Sequence, residues 1–133
     1  MALTIYVDGA CFGNPGPMGI GAVIYKDRKK IKEISEFLGN GTNNIAEYTA
    51  AIRVLEEAHK LKEKNVHIKS DSMLFVKQLQ GKYKVKAPHL KELNRKVHAL
   101  CLDLNVTFEH IPREQNEEAD ALSKEAIENK SKE

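Results

Sequence analysis

The chain has 133 residues, of which 41% are hydrophobic and 30% charged. This size and balance are typical of one globular domain with a single core. No apolar run approaches the ~20 residues of a membrane-spanning helix, and the first residues lack the features of a secretory signal, which favours a cytoplasmic location without a membrane partner. In that compartment Cys11 and Cys101 favour two reduced thiols over a disulfide. The net charge of +2 is too small to indicate a nucleic-acid-binding protein by itself.

The first part of the chain predicts three consecutive strands. Residues 3–8 alternate weakly and are rich in β-branched and aromatic residues, which indicates a strand. A Gly- and Pro-rich turn, CFGNPGPMG, separates it from two further strands, IGAVIYKD and IKEISEFLG. Because the connections are short, neighbouring strands are expected to be antiparallel.

The middle of the chain changes to helical spacing. Apolar residues recur every three or four positions in NGTNNIAEYTAAIRVLEEAHKLKEKN, with Thr42 or Asn43 available as the N-cap. The strand NVHIKSD follows, and the long helix before it predicts that it runs parallel to an earlier strand. SDSMLFVKQLQG predicts a short helix that is capped by Ser72 and ends at Gly81.

The remaining elements complete an α/β pattern. A helix that begins at Pro88 has an apolar stripe composed of Leu90, Leu93, Val97, Leu100 and Leu104. NVTFEHI predicts a fifth strand, PREQN a loop, and a last helix begins near Asn116 and leads into a frayed tail over residues 128–133. The pattern predicts one domain over residues 1–133, in which helices flank a five-stranded mixed sheet of three antiparallel strands plus two parallel strands.

Four acidic residues occupy positions where the pattern favours apolar or neutral residues. Asp8 and Asp71 each follow an apolar strand, so parallel neighbouring strands would bring both to the sheet edge where ligands bind in open α/β sheets. Glu47 shares a helix stripe with Ala51 and is expected to face the sheet, and Asp120 lies early in the last helix. Taken singly, Glu47 and Asp120 also suit the ordinary role of acids near a helix N-terminus.

Converging carboxylates repel one another, so such a cluster must take up protons or bind cations. Oxygen ligands, without Cys and His at zinc spacing, favour a hard ion such as Mg²⁺ or Mn²⁺. Two such ions about 3.5–4 Å apart would activate a water molecule and stabilise the leaving oxygen of a phosphoryl displacement. The four acids therefore indicate a nuclease.

The motifs D-G-x-x-x-G-N-P-G, T-N-N-x-x-E, S-D-S and N-x-x-A-D together resemble type 1 ribonuclease H over about residues 3–127. The resemblance implies a ribonuclease H-like fold and an endonuclease that uses two divalent metal ions to hydrolyse the RNA strand of RNA–DNA hybrids, leaving 5′-phosphate and 3′-hydroxyl ends. It implies that four catalytic carboxylates bind these ions, with Asp8 bridging both: Asp8, Glu47, Asp71 and Asp120. His110 matches a mobile-loop histidine that assists water activation or product release, and an ordinary strand-edge histidine is the alternative.

The same resemblance implies a set of substrate-binding residues. Asn14, Asn43 and Asn44 look like the asparagines that contact the substrate, and their amides can donate to 2′-hydroxyls and minor-groove atoms. Thr42 looks like part of a pocket for a DNA-strand phosphate. Gly9 lies in the substrate-facing motif and is interpreted as a conformational residue rather than a ligand.

The chain also departs from the family pattern. Met73 stands where many members have Gln, and Asn40 where some have Arg. The basic protrusion of some members is absent, and QGKYKVKAPH, with Lys82, Lys84 and Lys86, is a modest substitute. We therefore expect weaker binding of the hybrid duplex.

Two alternative functions remain open from the sequence. The same four acids occur in nucleases of this fold that act on another duplex, double-stranded RNA or DNA, because a fold alone does not determine a function. A non-catalytic module that only binds hybrids is the other alternative, although the complete set of acids argues against it. A monomer is expected, because no apolar stripe is left over once the core is filled.

Overall fold

The computed structural model describes residues 2–131, and the side chains of residues 2–130. A five-stranded mixed sheet with helices on both faces forms the fold, as the sequence predicts. The elements in chain order are β1 (Ala2–Cys11), β2 (Gly16–Lys26), β3 (Lys29–Gly41), α1 (Asn43–Lys60), β4 (Asn65–Ser70), α2 (Met73–Leu79), α3 (Pro88–Cys101), β5 (Asn105–His110), a 3₁₀ turn (Arg113–Gln115) and α4 (Glu117–Ser131). None of the helices within this range is long and apolar enough to cross a membrane.

The order of strands in the sheet is β3-β2-β1-β4-β5, with β1 at the centre. β1 pairs antiparallel with β2, and β2 with β3, whereas β1–β4 and β4–β5 are parallel pairs. The parallel pairing predicted for the fourth strand is therefore confirmed. Since β1 and β4 run in the same direction, their carboxyl ends lie at the same edge of the sheet.

β1 continues beyond the point at which the sequence pattern ends it. Asp8 lies inside the strand, opposite Gly21 of β2, and the pairing with β2 extends to Cys11. The pairing with β4 ends at Tyr6, because β4 itself ends at Ser70. Beyond Tyr6, therefore, β1 has a partner on the β2 side only, and this asymmetry leaves room beside Asp8 for a cleft.

The two faces of the sheet are covered by different helices. Leu3, Ile5 and Val7 of β1 face α1 and form part of the main hydrophobic core. On the opposite face α4 packs closely on β2, where Gly19 and Gly21 leave space for its backbone. Alternate residues of β1 therefore point toward α1 and toward α4, as the period of a strand requires.

The ends of the helices agree with the sequence in part. Thr42, rather than Asn43, caps α1 by accepting a hydrogen bond from the N–H of Ile45, and the Ser72 hydroxyl accepts one from Phe75 at the start of α2. α3 ends at Cys101, so placing Leu104 on the helix stripe was wrong, although its side chain still packs against the core.

The segment after β5 contains more regular structure than predicted. The loop PREQN includes the 3₁₀ turn, and α4 begins one residue after Asn116. α4 extends to Ser131, so residues 128–131 of the predicted frayed tail are helical, and residues 132 and 133 lie outside the described residues. Cys11 and Cys101 are both free thiols, as expected.

Candidate active site

A cleft of about 440 Å³ opens beside Asp8 at the carboxyl edge of the parallel strands. All four acids singled out in the sequence line it, and they come from four different elements or their ends. The residues that line the cleft are Asp8, Gly9, Ala10, Cys11, Phe12, Asn43, Asn44, Glu47, Asp71, Ser72, Arg113, Asp120 and Lys124. The topology thus brings together carboxylates that are separated by up to 112 positions in the sequence (120 − 8).

Asp8 is the most enclosed of the four acids. Only 8% of its surface is exposed, and the Ser123 hydroxyl of α4 donates a hydrogen bond of 2.9 Å to its Oδ2. Burial, followed by the charge of Asp71, raises the pKa of Asp8 to about 8. Asp120 also contacts the Asp8 carboxyl and raises its pKa further, whereas the Ser123 hydrogen bond lowers it.

Glu47 reaches the cleft from the start of α1. Burial raises its pKa to about 7, with a smaller contribution from the charge of Asp71, and a hydrogen bond with Ser72 acts in the opposite direction. Gly9 of β1 makes this placement possible, because a Cβ atom there would lie 2.5 Å from the backbone nitrogen of Glu47. Real Cβ atoms essentially never approach this closely, so a glycine is required where α1 meets β1.

Asp71 and Asp120, together with Asp8 and Glu47, form the acidic wall of the cleft. Asp71 follows the last residue of β4 and precedes Ser72, the N-cap of α2. Asp120 lies in the first turn of α4, where its Oδ2 accepts an ion-paired hydrogen bond of 3.0 Å from Lys124 Nζ. Asp71 and Asp120 thus lie at the ends of regular elements that meet at the cleft.

The charge of the cleft is unbalanced. Four acids line it against Arg113 and Lys124, and burial and mutual repulsion raise the pKa values of Asp8 and Glu47. Within residues 2–131 no three His, Cys, Asp or Glu side chains enclose a metal ion by themselves. The acids form the wall of an open cleft, so a cation held there would complete its coordination with water or substrate, as Mg²⁺ usually does.

The predicted substrate-binding residues lie in different places. Asn43 and Asn44 line the cleft, and the side-chain oxygen of Asn14 accepts a hydrogen bond of 3.2 Å from the backbone N–H of Asn43. Thr42 is the N-cap of α1, directly before these asparagines. Gly9 lines the cleft and has a packing role against α1.

Two groups of predicted residues lie outside the cleft. His110 is the last residue of β5, is exposed, and is not among the lining residues. Lys82, Lys84 and Lys86 are exposed on the segment between α2 and α3. Their predicted contributions therefore depend on a substrate that extends beyond the acidic wall.

Several residues of the site were missed in the sequence. Arg113 lies in the segment interpreted as a plain loop, and Lys124 lies four positions after Asp120, a spacing that places two side chains on one helix face. Ser123 and Asn116 were also missed. The Asn116 side chain, 1% exposed, donates a hydrogen bond of 2.9 Å to the Val7 carbonyl, while its Oδ1 atom is buried without a partner.

The sequence of the chain is similar to those of known proteins. A family model described as reverse transcriptase-like matches residues 6–126. A ribonuclease H of Desulforamulus reducens is 37% identical over 91% of this chain and 84% of its own length. A bifunctional protein of Mycobacterium tuberculosis is 38% identical over 96% of this chain but only 36% of its own length. The chain therefore spans about a third of that longer relative.

The fold of the chain is also similar to solved structures. The crystal structure of RNase H1 from Halobacterium salinarum matches with a TM-score of 0.92 and 35% identity, covering 97% of this chain and 99% of that one. LC11-RNase H1, solved in complex with an RNA/DNA hybrid, matches with a TM-score of 0.91 and 43% identity, covering 96% and 97%. In both cases the match extends over almost the whole of each chain.

Proposed function

Since the chain belongs to the type 1 ribonuclease H family, we propose that it is an endonuclease that hydrolyses the RNA strand of RNA–DNA hybrids. The observation that carries the proposal is the convergence of Asp8, Glu47, Asp71 and Asp120 on one cleft. A relative with 43% identity has been solved with an RNA/DNA hybrid, which supports the choice of substrate.

The chemistry of the donors fits divalent cations. The four acids supply only oxygen ligands. Burial raises the pKa values of Asp8 and Glu47, and repulsion by the charge of Asp71 raises them further; a bound cation relieves this repulsion. We propose that the four carboxylates hold two Mg²⁺ or Mn²⁺ ions. When bound, such ions supply an activated water nucleophile and stabilise the leaving oxygen.

The uncharged polar side of the cleft, formed by Asn43 and Asn44, is suited to binding the RNA strand. Asn43 and Asn44 carry amides that can donate to 2′-hydroxyls, the groups that distinguish RNA from DNA. Asn14 is placed beside them through its hydrogen bond to the N–H of Asn43. Thr42 Oγ1 accepts the capping hydrogen bond from Ile45, so its O–H remains available as a donor to a phosphate.

The basic side chains in and around the cleft are proposed to bind the phosphate backbone of the duplex. Arg113 and Lys124 line the cleft and can contact phosphates next to the scissile bond, and Lys82, Lys84 and Lys86 can contact phosphates farther along the duplex. His110, at the end of β5, is proposed to assist proton transfer or product release. The protein is further proposed to act as a monomer in the cytoplasm.

The proposal is tested by offering the purified protein three labelled duplexes: an RNA–DNA hybrid, double-stranded RNA and double-stranded DNA. Each is incubated with Mg²⁺, Mn²⁺ or a chelator. We expect cleavage of the RNA strand of the hybrid that requires a divalent ion. Asp8→Asn should lower the rate at least about 10³-fold, because it removes several kcal/mol of transition-state stabilisation.

The matched control is Asp103→Asn, an exposed acid between α3 and β5 at the opposite edge of the sheet, which should leave the rate unchanged. Cleavage of another duplex in preference to the hybrid would replace the proposed substrate. Binding of the hybrid without cleavage under any metal condition would reduce the protein to a binding module.

A further inference from the structure

Ser123 is a buried hydroxyl that connects two of the four acids. Its side chain is 0% exposed, and its Oγ lies 2.9 Å from Asp8 Oδ2 and 2.8 Å from the backbone oxygen of Asp120. We propose that Ser123 is a positioning residue that orients Asp8 for cation binding. By holding Oδ2, it leaves Oδ1 as the carboxylate oxygen available to the cleft. The inference rests on the proposed function.

The chemistry of the hydroxyl supports this role. A serine has one O–H proton, so it can donate to only one of the two oxygens at a time. A hydrogen bond to an ionised carboxylate is roughly twice as strong as one to a neutral carbonyl. The proton of Ser123 is therefore directed to Asp8 when Asp8 is ionised, which is the state that binds a cation. The other close neighbours of the Asp8 carboxyl, Asp71 and Asp120, are acids that repel it.

The sheet holds Ser123 at this position. Gly21, the residue opposite Asp8 in the β1–β2 pairing, has no side chain, and a Cβ there would lie 2.5 Å from the backbone nitrogen of Ser123. A Cβ at Gly19 would overlap the backbone oxygen of Ser123. The backbone of α4 at Ser123 thus packs directly on β2, and from this position its hydroxyl reaches Asp8.

A second serine allows the positioning role to be separated from a merely structural one. The Ser35 hydroxyl of β3 donates a hydrogen bond of 2.7 Å to the backbone oxygen of Leu122. Like Ser123, it attaches α4 to the sheet by one hydroxyl, one residue away along the helix. It does not line the cleft or contact any of the four acids. Ser35→Ala is therefore the matched control for Ser123→Ala.

The experiment measures binding of Mn²⁺ alone to the free protein by titration calorimetry, and hybrid cleavage as a function of Mn²⁺ concentration. Loss of a group that orients a ligand typically lowers metal affinity 10–100-fold. We expect Ser123→Ala to raise the half-saturating Mn²⁺ concentration at least about 10-fold in both measurements. The maximal rate at saturating Mn²⁺ should fall much less. Ser123→Cys, which keeps the shape but donates weakly, should lie in between.

Two results would overturn the inference. One is an Mn²⁺ affinity of Ser123→Ala, or of Ser123→Cys if the alanine variant does not fold, equal to that of the unsubstituted protein. The other is an equal loss of affinity in Ser35→Ala, which would mean that any loosening of α4 has the same effect. If the unsubstituted protein neither binds Mn²⁺ nor cleaves the hybrid, the proposed function fails as well. Cleavage by the unsubstituted protein with no change in Ser123→Ala overturns the inference alone.

Discussion

At the scale of single residues, burial of the Asp8 carboxyl disfavours its ionised form in the folded protein. Burial and the charge of Asp71 raise its pKa from 3.8 to about 8, and burial raises the pKa of Glu47 from 4.5 to about 7. When the folded pKa of an acid lies above its unfolded value, the folded state binds more protons between the two values. The stability contributed by these groups therefore falls as pH rises from about 4 to about 8, and levels off above that range.

We predict that Asp8→Asn stabilises the protein in the presence of a chelator, and increasingly so as pH rises. Each pH unit in this window corresponds to about 1.4 kcal/mol, so the variant should gain about 3 kcal/mol relative to the unsubstituted protein between pH 5 and pH 7. Urea denaturation at pH 5, 6 and 7 measures the difference. Parallel pH profiles for Asp8→Asn and the unsubstituted protein would contradict the prediction.

At the scale of elements, the positions of Glu47 and Asp120 depend on how closely α1 and α4 approach the sheet. Gly9 permits contact between β1 and the first turn of α1, and Gly21 permits contact between β2 and α4. Asn116 adds a hydrogen bond from the residue before α4 to the carbonyl of Val7, which directly precedes Asp8. The cleft is therefore held together by contacts between elements rather than by contacts between the acids.

We predict that Gly9→Ala disturbs the cleft through α1. Because the nearest atoms to the added methyl belong to the backbone at Ala46 and Glu47, the helix itself must move. The substitution should lower stability by about 1–3 kcal/mol, as overpacking typically does, and should weaken Mn²⁺ binding by displacing Glu47. Denaturation and calorimetry provide the two measurements.

Gly39→Asn is the control for this substitution. Gly39 has a φ of +86° and no atom within 4 Å of an added Cβ, and asparagine tolerates the left-handed region better than most residues. Both stability and Mn²⁺ binding should change little. Native stability and Mn²⁺ affinity in Gly9→Ala would show that α1 does not need this close contact.

At the scale of the whole molecule, the four acids of the cleft are separated in space from the lysines of the α2–α3 segment. The net charge is only +2, yet the cleft is acidic and the lysines of the α2–α3 segment lie outside it. A duplex that enters the cleft must bring its phosphates close to carboxylates. Electrostatic attraction to the duplex must therefore come from cations outside the acidic wall and from bound divalent ions.

We predict that joint replacement of Lys82, Lys84 and Lys86 by alanine weakens hybrid binding and reduces its salt dependence. Each lost phosphate contact should lower the slope of log affinity against log salt by about one. Fluorescence anisotropy at several NaCl concentrations, with Ca²⁺ in place of Mg²⁺ to limit cleavage, measures both quantities.

The control replaces three exposed lysines at the opposite edge of the sheet: Lys29, Lys60 and Lys64. It removes the same charge from the molecule and should leave the slope almost unchanged. An equal loss of slope in both triple variants would show that the lysines act through net charge rather than through phosphate contacts.

The order of elements, the parallel pairing of β1 and β4, and the candidate acids could be predicted from the sequence, because they depend on local patterns. Alternating and helical periods identify strands and helices, and a helix between two strands favours their parallel pairing. Asp8 and Asp71 stood out because each ends an apolar run that predicts a strand. The structure brings them together with Glu47 and Asp120 in one cleft.

The tertiary structure alone decided which residues support those acids. Ser123 is 115 positions from Asp8, and Asn116 is 109 positions from Val7, so no local pattern connects them. Their contacts depend on how closely α4 packs on β2, a distance set by Gly19 and Gly21. Sequence periodicity predicts which face of a helix meets a sheet, but the approach of two backbones is determined by packing over the whole fold.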